Sequence, residues 1–362
     1  MNANKKLILE NGVVILAEAF GKATQKINGE LVFTTAMTGY EETLTDPSYT
    51  DQIITFAYPL QGNYGVNIYD EESNKIHAKA MIINDLTENY EHYLGTKSLN
   101  DYLLENNILG LKGVDTRAVV KMLRQEGALR CAITDLTEDN EKTIQALKQV
   151  KFTNHIAKVA TNQAYHIPGI GKRVVLLDFG YKRNILKELI KRNLEIYVMP
   201  YTTSLQEIIK VNPTGILLSN GPGDPQEYVP SIELIKSLIG KFPIFGICLG
   251  HQLYGLALGG TTFKMKYGHR GINQPVRNEV TKKVYITSQN HGYCLNKTTI
   301  TDNLTNIQVL YSAVNDQTIE GLLNTKTLDF TVQFHPEAHP GPNDTNFLFD
   351  EFVKILKGGE HE

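Results

Sequence analysis

The sequence is sparing with cysteine: Cys131, Cys248 and Cys294 are the only three in 362 residues, and no two are spaced as C-x-x-C. An odd, scattered set of this kind argues against a disulfide framework and against a structural zinc site. Long apolar runs are also missing. No stretch approaches the roughly 18 residues that span a bilayer. The opening MNANKKLILENG has only Leu7, Ile8 and Leu9 before Glu10, too short for the core of a secretion signal. The expected compartment is therefore the cytoplasm, with no membrane as partner. Neither sign of charge dominates: 36 Lys and Arg stand against 39 Asp and Glu, dispersed along the chain, for a net charge of -3 and a pI near 6.4. Without a basic stripe, nucleic acid is not an expected partner. A G-x-x-x-x-G-K-[ST] phosphate loop is lacking. The DFG at 178–180 has no HRD companion and reads as a strand end. Internal repeats and low-complexity tracts are absent as well.

What remains is an ordinary globular composition, 41% hydrophobic and 21% charged, in a chain long enough for two domains. From residue 172 a regular rhythm sets in. KRVVLLDFG, LEIYVMP, GILLS and PIFGI read as buried strands, alternating with the helical YKRNILKELIKRN, SLQEIIKV, SIELIKSLIG and LGHQLYGLAL. Such alternation calls for a mostly parallel, doubly wound sheet with helices on both faces. Further strands (TTFKMKYG, VYITSQ, IQVLYSA, IEGLLNT, DFTVQFH) extend or edge that sheet before a closing helix, TNFLFDEFVKILKG. The first part, rich in turn signals, reads as a separate α+β domain. Within it, DTRAVVKMLRQEG predicts a helix with Asp115 as N-cap and Gly127 as stop. The boundary is expected in YHIPGIGKR, giving domains 1–170 and 171–362.

Cys248 falls at a strand-to-helix junction between Gly246 and Gly250. The G-x-C-x-G spacing mirrors the nucleophile elbow, in which a sharp turn exposes the reactive atom and small neighbours let backbone approach. Free N–H groups at the start of the following helix favour a thiolate. Cys131 and Cys294 lack this setting and read as small core hydrophobes. A nucleophilic cysteine needs a base and something to orient it. QFHPEAHPG supplies His335 and Glu337, two apart at the end of an apolar strand, where an extended backbone would point both the same way. Glu337 could then hold one imidazole nitrogen while the other faces sulfur. A metal reading of His335, Glu337 and His339 is weak, because the prolines between them forbid the helical spacing of common two-histidine zinc motifs; no metal site is expected. A simple surface turn is the competing reading of this segment. LSNGPGDP (218–225) follows a central strand, where ligands of open α/β sheets bind, and its glycines could present backbone N–H groups to an oxyanion.

Taken together and in order, NGPGDP, GICLGHQ and QFHPE resemble the class I glutamine amidotransferase family. The resemblance implies that Cys248 attacks the side-chain amide of L-glutamine, with His335 as general acid and base and Glu337 as its orienting carboxylate. It implies an oxyanion hole from the amides of Gly221 and Leu249. Gly223, Gln252 and the NHGY residues Asn290, Gly292 and Tyr293 would contact the glutamyl part of the substrate. His291 in the same run reads as a packed loop histidine. TGYEETLTDPSYTDQI, GVDTRAVVKMLR and DFGYKRNILKEL extend the resemblance over essentially the whole chain, to the small, glutaminase subunits of carbamoyl phosphate synthetases. That likeness implies an N-terminal swivelling-type β/β/α domain that packs on a large synthetase subunit, and a role for Ser48 at the glutamine site. It also implies no cofactor in this chain, with ATP and Mg2+ on the large subunit of a heterodimer that receives ammonia through an internal tunnel. Two alternatives stay open on the residues alone. One is a stand-alone cysteine hydrolase of γ-glutamyl or peptide bonds, because the same triad serves several leaving groups. The other is a non-catalytic docking subunit that kept the fold.

Overall fold

The computed structural model describes residues 3–23, 26–301 and 304–358, and the chain falls into two units, Met1–His155 and Ile156–Glu362. The division comes ahead of the glycine- and proline-rich segment 165–173. The reason is local: Tyr165–Ile167 is a short edge strand, antiparallel to Glu195–Pro200, and so belongs to the second unit.

In the first unit a closed barrel runs in the order Lys5–Leu9, Val14–Gly21, Leu109–Lys112, Ala80–Ile82, Gln52–Phe56, Ile27–Thr34 and Leu129–Asp135 before returning to its first strand. Closure leaves no unpaired strand edge. Val32, Ile54 and Met81 share a core with Leu44, Leu99 and Leu103 from the helices Tyr40–Thr45 and Leu99–Glu105. The helix Thr116–Glu126 forms as its sequence requires. Asp115 accepts the Ala118 N–H at 2.9 Å, and Gly127 ends the helix at φ 99°, a value that suits glycine.

The second unit is a ten-stranded sheet flanked by helices. Its centre is parallel, in the order Glu195–Pro200, Arg173–Asp178, Gly215–Leu218, Ile244–Ile247 and Phe330–Val332. Ile319–Asn324, Ile307–Ala313, Thr262–Asn278 and Val284–Leu295 continue the sheet antiparallel. The expected mostly parallel sheet is thus a mixed one, because strands joined by short turns after residue 260 can only pair antiparallel. The parallel strands read as continuous apolar runs because both of their faces are covered. Val174, Leu176, Leu217, Phe245 and Ile247 face a core shared with the helices Arg183–Lys191 and Leu348–Leu356. Their neighbours Val175, Leu177, Ile216, Leu218 and Ile244 face a second core, against Leu205–Lys210, Val229–Leu238 and Leu249–Ala257. Among the described residues no helix is long and apolar enough to cross a membrane.

The carboxyl ends of the parallel strands therefore present two neighbouring loops, one after Leu218 and one at Cys248. They are packed tightly. A Cβ on Gly250 would lie 2.4 Å from Leu218 O and 2.7 Å from Leu218 Cβ. Gly250→Ala should therefore lower stability by about 1–3 kcal/mol, the usual cost of overpacking. Urea unfolding would show this as a lower midpoint at unchanged slope, and an unchanged midpoint would contradict it.

Candidate active site

Cys248 links the strand Ile244–Ile247 to the helix Leu249–Ala257, with φ 52° and ψ -103°. A side-chain-bearing residue reaches positive φ only at a cost, and here the surroundings impose it. Its N–H donates to Val332 O at 2.8 Å, and Gly250 N–H donates to Ser219 O at 3.0 Å. A Cβ on Gly246 would sit 2.8 Å from Thr331 Cγ2, so the small residues of G-x-C-x-G are needed on both sides. The thiol is buried and lies 3.8 Å from Asn290 O.

His335 and Glu337 follow the strand Phe330–Val332, His335 in a single antiparallel bridge with Ser288 and Glu337 in the turn after it. Ala338 N–H returns to His335 O at 3.1 Å, so a turn, rather than the expected extended backbone, brings their side chains together. His335 N–H donates to Ser288 O at 2.9 Å, and its Nδ1 lies 2.6 Å from Glu337 Oε1. Nε2 makes no hydrogen bond, while the nearby Cys248 sulfur contributes to its titration. Burial works against a charge on this ring, yet the Glu337 carboxylate and Cys248 outweigh it and hold His335 up at about 10. Burial likewise opposes the Glu337 carboxylate, but His335 and Lys182 hold it down at about 2. His335, Glu337 and His339 form no ligand cluster among the described residues.

Lys182 is the functional residue that the sequence reading missed. It precedes the helix Arg183–Lys191, where lysine ordinarily faces water, and no local signal sets it apart. Yet it is 2% exposed. Its Nζ stands 3.3 Å from Glu337 Oε1 and donates to Ala338 O at 2.5 Å. Its backbone N–H donates to Asn220 Oδ1 at 2.9 Å, and Asn184 Nδ2 donates to Glu337 O at 3.2 Å. One short segment thus binds the glycine loop to the His–Glu turn.

That loop carries Gly221 beside the helix start. A Cβ there would meet Phe179 O at 2.3 Å and Leu249 Cδ2 at 2.9 Å. Leu249 is the first residue of its helix, a position whose N–H the helix itself does not satisfy, so it is chemically suited to receive an oxyanion. Gly223 adopts φ 96°. Gln252 is buried and donates from Nε2 to Tyr293 O at 2.8 Å and to Gln333 Oε1 at 3.0 Å, which ties the helix to the run Asn290, Gly292, Tyr293. This run lies within the strand Val284–Leu295, so His291, expected in a loop, is a buried strand residue. Ser48 lies in the first unit, in the 3-10 turn Pro47–Tyr49, where its N–H donates to Asp46 Oδ1 at 2.9 Å.

Two family models match this chain. Residues 7–133 match the carbamoyl-phosphate synthase small chain, CPSase domain, and residues 175–355 match glutamine amidotransferase class-I. The carbamoyl phosphate synthase small chain of Bacillus thuringiensis subsp. konkukian is 48% identical over 358 residues, covering 99% of this chain and 97% of its own. The carbamoyl phosphate synthase pyrimidine-specific small chain of Bacillus subtilis is 47% identical over 359 residues, with the same shares covered. Among solved structures, a glutamine amidotransferase from Thermotoga maritima is 17% identical, with a TM-score of 0.37 over 52% of this chain and 85% of its own.

The electrostatics yield a direct test. Glu337→Gln removes the carboxylate that raises His335 and leaves burial and Cys248 in place, so the imidazole pKa should fall from about 10 toward its ordinary value of roughly 6.5. Imidazole NMR of the variant reads the shift, and a value still near 10 would refute the assignment of its cause.

Proposed function

Because the chain belongs to the carbamoyl-phosphate synthase small-chain family, with a class-I glutamine amidotransferase domain in its second half, we propose that it is the glutaminase subunit of a glutamine-hydrolysing carbamoyl phosphate synthase. The observation that carries this reading is the buried His335–Glu337–Lys182 chain beside the Cys248 elbow. In this reading the Cys248 sulfur bonds to the side-chain amide carbon of L-glutamine and the carbonyl electron pair moves onto oxygen. The amides of Gly221 and Leu249 receive that charge. The carbon–nitrogen bond then breaks as His335, held cationic by Glu337, gives its proton to the departing ammonia. Water adds to the thioester while the now neutral His335 takes a proton from it. Collapse releases glutamate and restores the cysteine. Ser48, Gly223, Gln252, Asn290, Gly292 and Tyr293 hold the glutamyl part. For Gln252 the bond to Tyr293 O supports a positioning share in that task.

The product ammonia passes to a large subunit in a heterodimer, which makes carbamoyl phosphate from bicarbonate with ATP and Mg2+; this chain itself carries no cofactor. We read the barrel unit as the swivelling β/β/α domain that meets this partner. Met37, Ile68, Tyr69 and Tyr93 on that unit are 62–88% exposed, apolar surface that a partner could cover. The reading places the assembly in the cytoplasm. The glycines at 221 and 223 beside the thiol supply a loop whose setting could follow the partner's state.

In the complete complex, Cys248→Ser should abolish glutamine-dependent carbamoyl phosphate formation and leave synthesis from free ammonia intact. Glutamate release by the unmodified chain should be slow alone and rise sharply with the large subunit, ATP, Mg2+ and bicarbonate. A fast rate indifferent to those additions would identify a stand-alone hydrolase instead.

A further inference from the structure

Behind the NHGY run lies a second cluster of buried polar side chains that the proposed glutamine chemistry does not use. His269 and His291 are opposed across the strands Thr262–Asn278 and Val284–Leu295, with ring centroids 5.0 Å apart and planes at 85°. Glu320, from the strand Ile319–Asn324, completes the group, and all three residues are at least nine-tenths buried. One ligand atom from each lies within 4.8 Å of the other two. Glu320 Oε1 is 3.5 Å from His269 Nδ1 and 3.8 Å from His291 Nε2.

The outward atoms determine what the inward ones can do. His291 Nδ1 lies 2.9 Å from Tyr293 O. A carbonyl oxygen only accepts, so this nitrogen carries the proton and Nε2 presents its lone pair inward. His269 Nε2 lies 2.8 Å from Asp316 Oδ2, which assigns its proton outward in the same way and leaves Nδ1, which makes no hydrogen bond, facing Glu320. The carboxylate is oriented too, since Glu320 Oε2 accepts from Gln289 Nε2 at 3.0 Å. Gln289 in turn directs its Oε1 at His291 Nε2, 3.3 Å away. Two imidazole nitrogens, a carboxylate oxygen and an amide oxygen thus converge, with the Thr318 hydroxyl donating to the same Glu320 Oε1 at 3.3 Å. A buried carboxylate between two imidazoles calls for positive charge beside it, which either a proton on His269 or a metal ion can supply. Each of the two histidines also has the acceptor on its far nitrogen that accompanies histidines bound to metals.

We propose that His269 Nδ1, His291 Nε2 and Glu320 Oε1 form a binding site for a divalent first-row transition ion of the Zn2+ class, with Gln289 Oε1 or a water completing four-coordination. Zinc takes nitrogen and oxygen ligands at about 2.1 Å, which sets ligand atoms about 3.4 Å apart in a tetrahedron. The two separations from Glu320 Oε1, 3.5 and 3.8 Å, are already near that spacing, while the imidazole nitrogens, within 4.8 Å, would draw together on binding. Asn290, whose carbonyl lies by the Cys248 sulfur, immediately precedes His291, so the ion would brace three strands under the run that flanks the nucleophile. The ion's role is positional, and the site stands whether or not the proposed glutaminase activity is upheld.

The test is metal retention by the purified full chain. After incubation with Zn2+ and exhaustive dialysis, elemental analysis should find close to one equivalent. Glu320→Gln should lose it. Asp316→Asn, at a half-exposed position, exchanges the carboxylate for a weaker acceptor and should weaken affinity about 10–100-fold, as mutation of a ligand's hydrogen-bond partner does. Co2+ in place of Zn2+ should give tetrahedral visible bands without thiolate-to-metal charge transfer. Absence of retained zinc would overturn the proposal and leave a proton on His269 as the compensating charge. Unaltered affinity in Asp316→Asn, or a charge-transfer band that vanishes in Cys248→Ser, would overturn it in favour of binding elsewhere or at the nucleophile.

Discussion

A cysteine held at φ 52° and ψ -103° occupies backbone space that costs on the order of 1–3 kcal/mol, and it stays there only if its surroundings allow nothing else. Here the strand behind it and the helix ahead of it are both pinned. Val332 O holds the Cys248 N–H, Ser219 O holds the Gly250 N–H, and the flanking glycines sit against Thr331 and Leu218 at distances that leave no room for a methyl group. The strain turns the thiol out of the sheet toward the ends of its neighbouring strands. Each other site feature in this unit is placed relative to that turn: the glycine loop through Gly221 against Leu249, the run Asn290, Gly292 and Tyr293 through Gln252, and the histidine through the strand Phe330–Val332 that pairs with the cysteine's own.

Burial raises the stakes of the charges gathered there. Removing an ion from water costs several kcal/mol, and the cost is recovered only when each partner is closely matched. Glu337 is fully buried between the imidazole of His335 and the ammonium of Lys182. A carboxylate with one cation would leave the histidine to neutralise it and lose its freedom to trade a proton. With the lysine present, Glu337 stays ionised whichever state His335 adopts. Lys182 thus gives the carboxylate a counter-charge that does not depend on the protonation state of His335.

Much of this was legible in the chain. The βαβα rhythm from residue 172, the helix bracketed by Asp115 and Gly127, and the strand-to-helix position of Cys248 all follow from patterns local in sequence, and the structure contains each of them. Other features depend on long-range packing, which local patterns do not encode. The approach of His335 to Glu337 is made by a turn, because the strand ends at Val332 and the chain folds back after His335. Lys182 carries the same local signature as any lysine at a helix start. His269, His291 and Glu320 come from three different strands, and irregular pairing between Lys264 and His269 and between Gly271 and Gln274 sets the register that joins them. Such bulges re-aim side chains, and no spacing rule anticipates where they will fall.

One core face of the sheet is closed by Phe349, Phe352, Ile355 and Leu356, which pack in the same cluster as Val174, Leu176 and Phe245. During synthesis, the strands of the second unit emerge from the ribosome long before the helix that covers them. Until residue 356 is free of the exit tunnel, that face has no lid, and until residue 337 is made Cys248 lacks the imidazole–carboxylate pair beside it. All residues of the barrel unit are therefore synthesised before that point, while the surroundings of Cys248 are completed only after it. The setting of Cys248 and the core face behind it are thus completed by neighbouring stretches of chain, one soon after the other, so neither is assembled long before its counterpart.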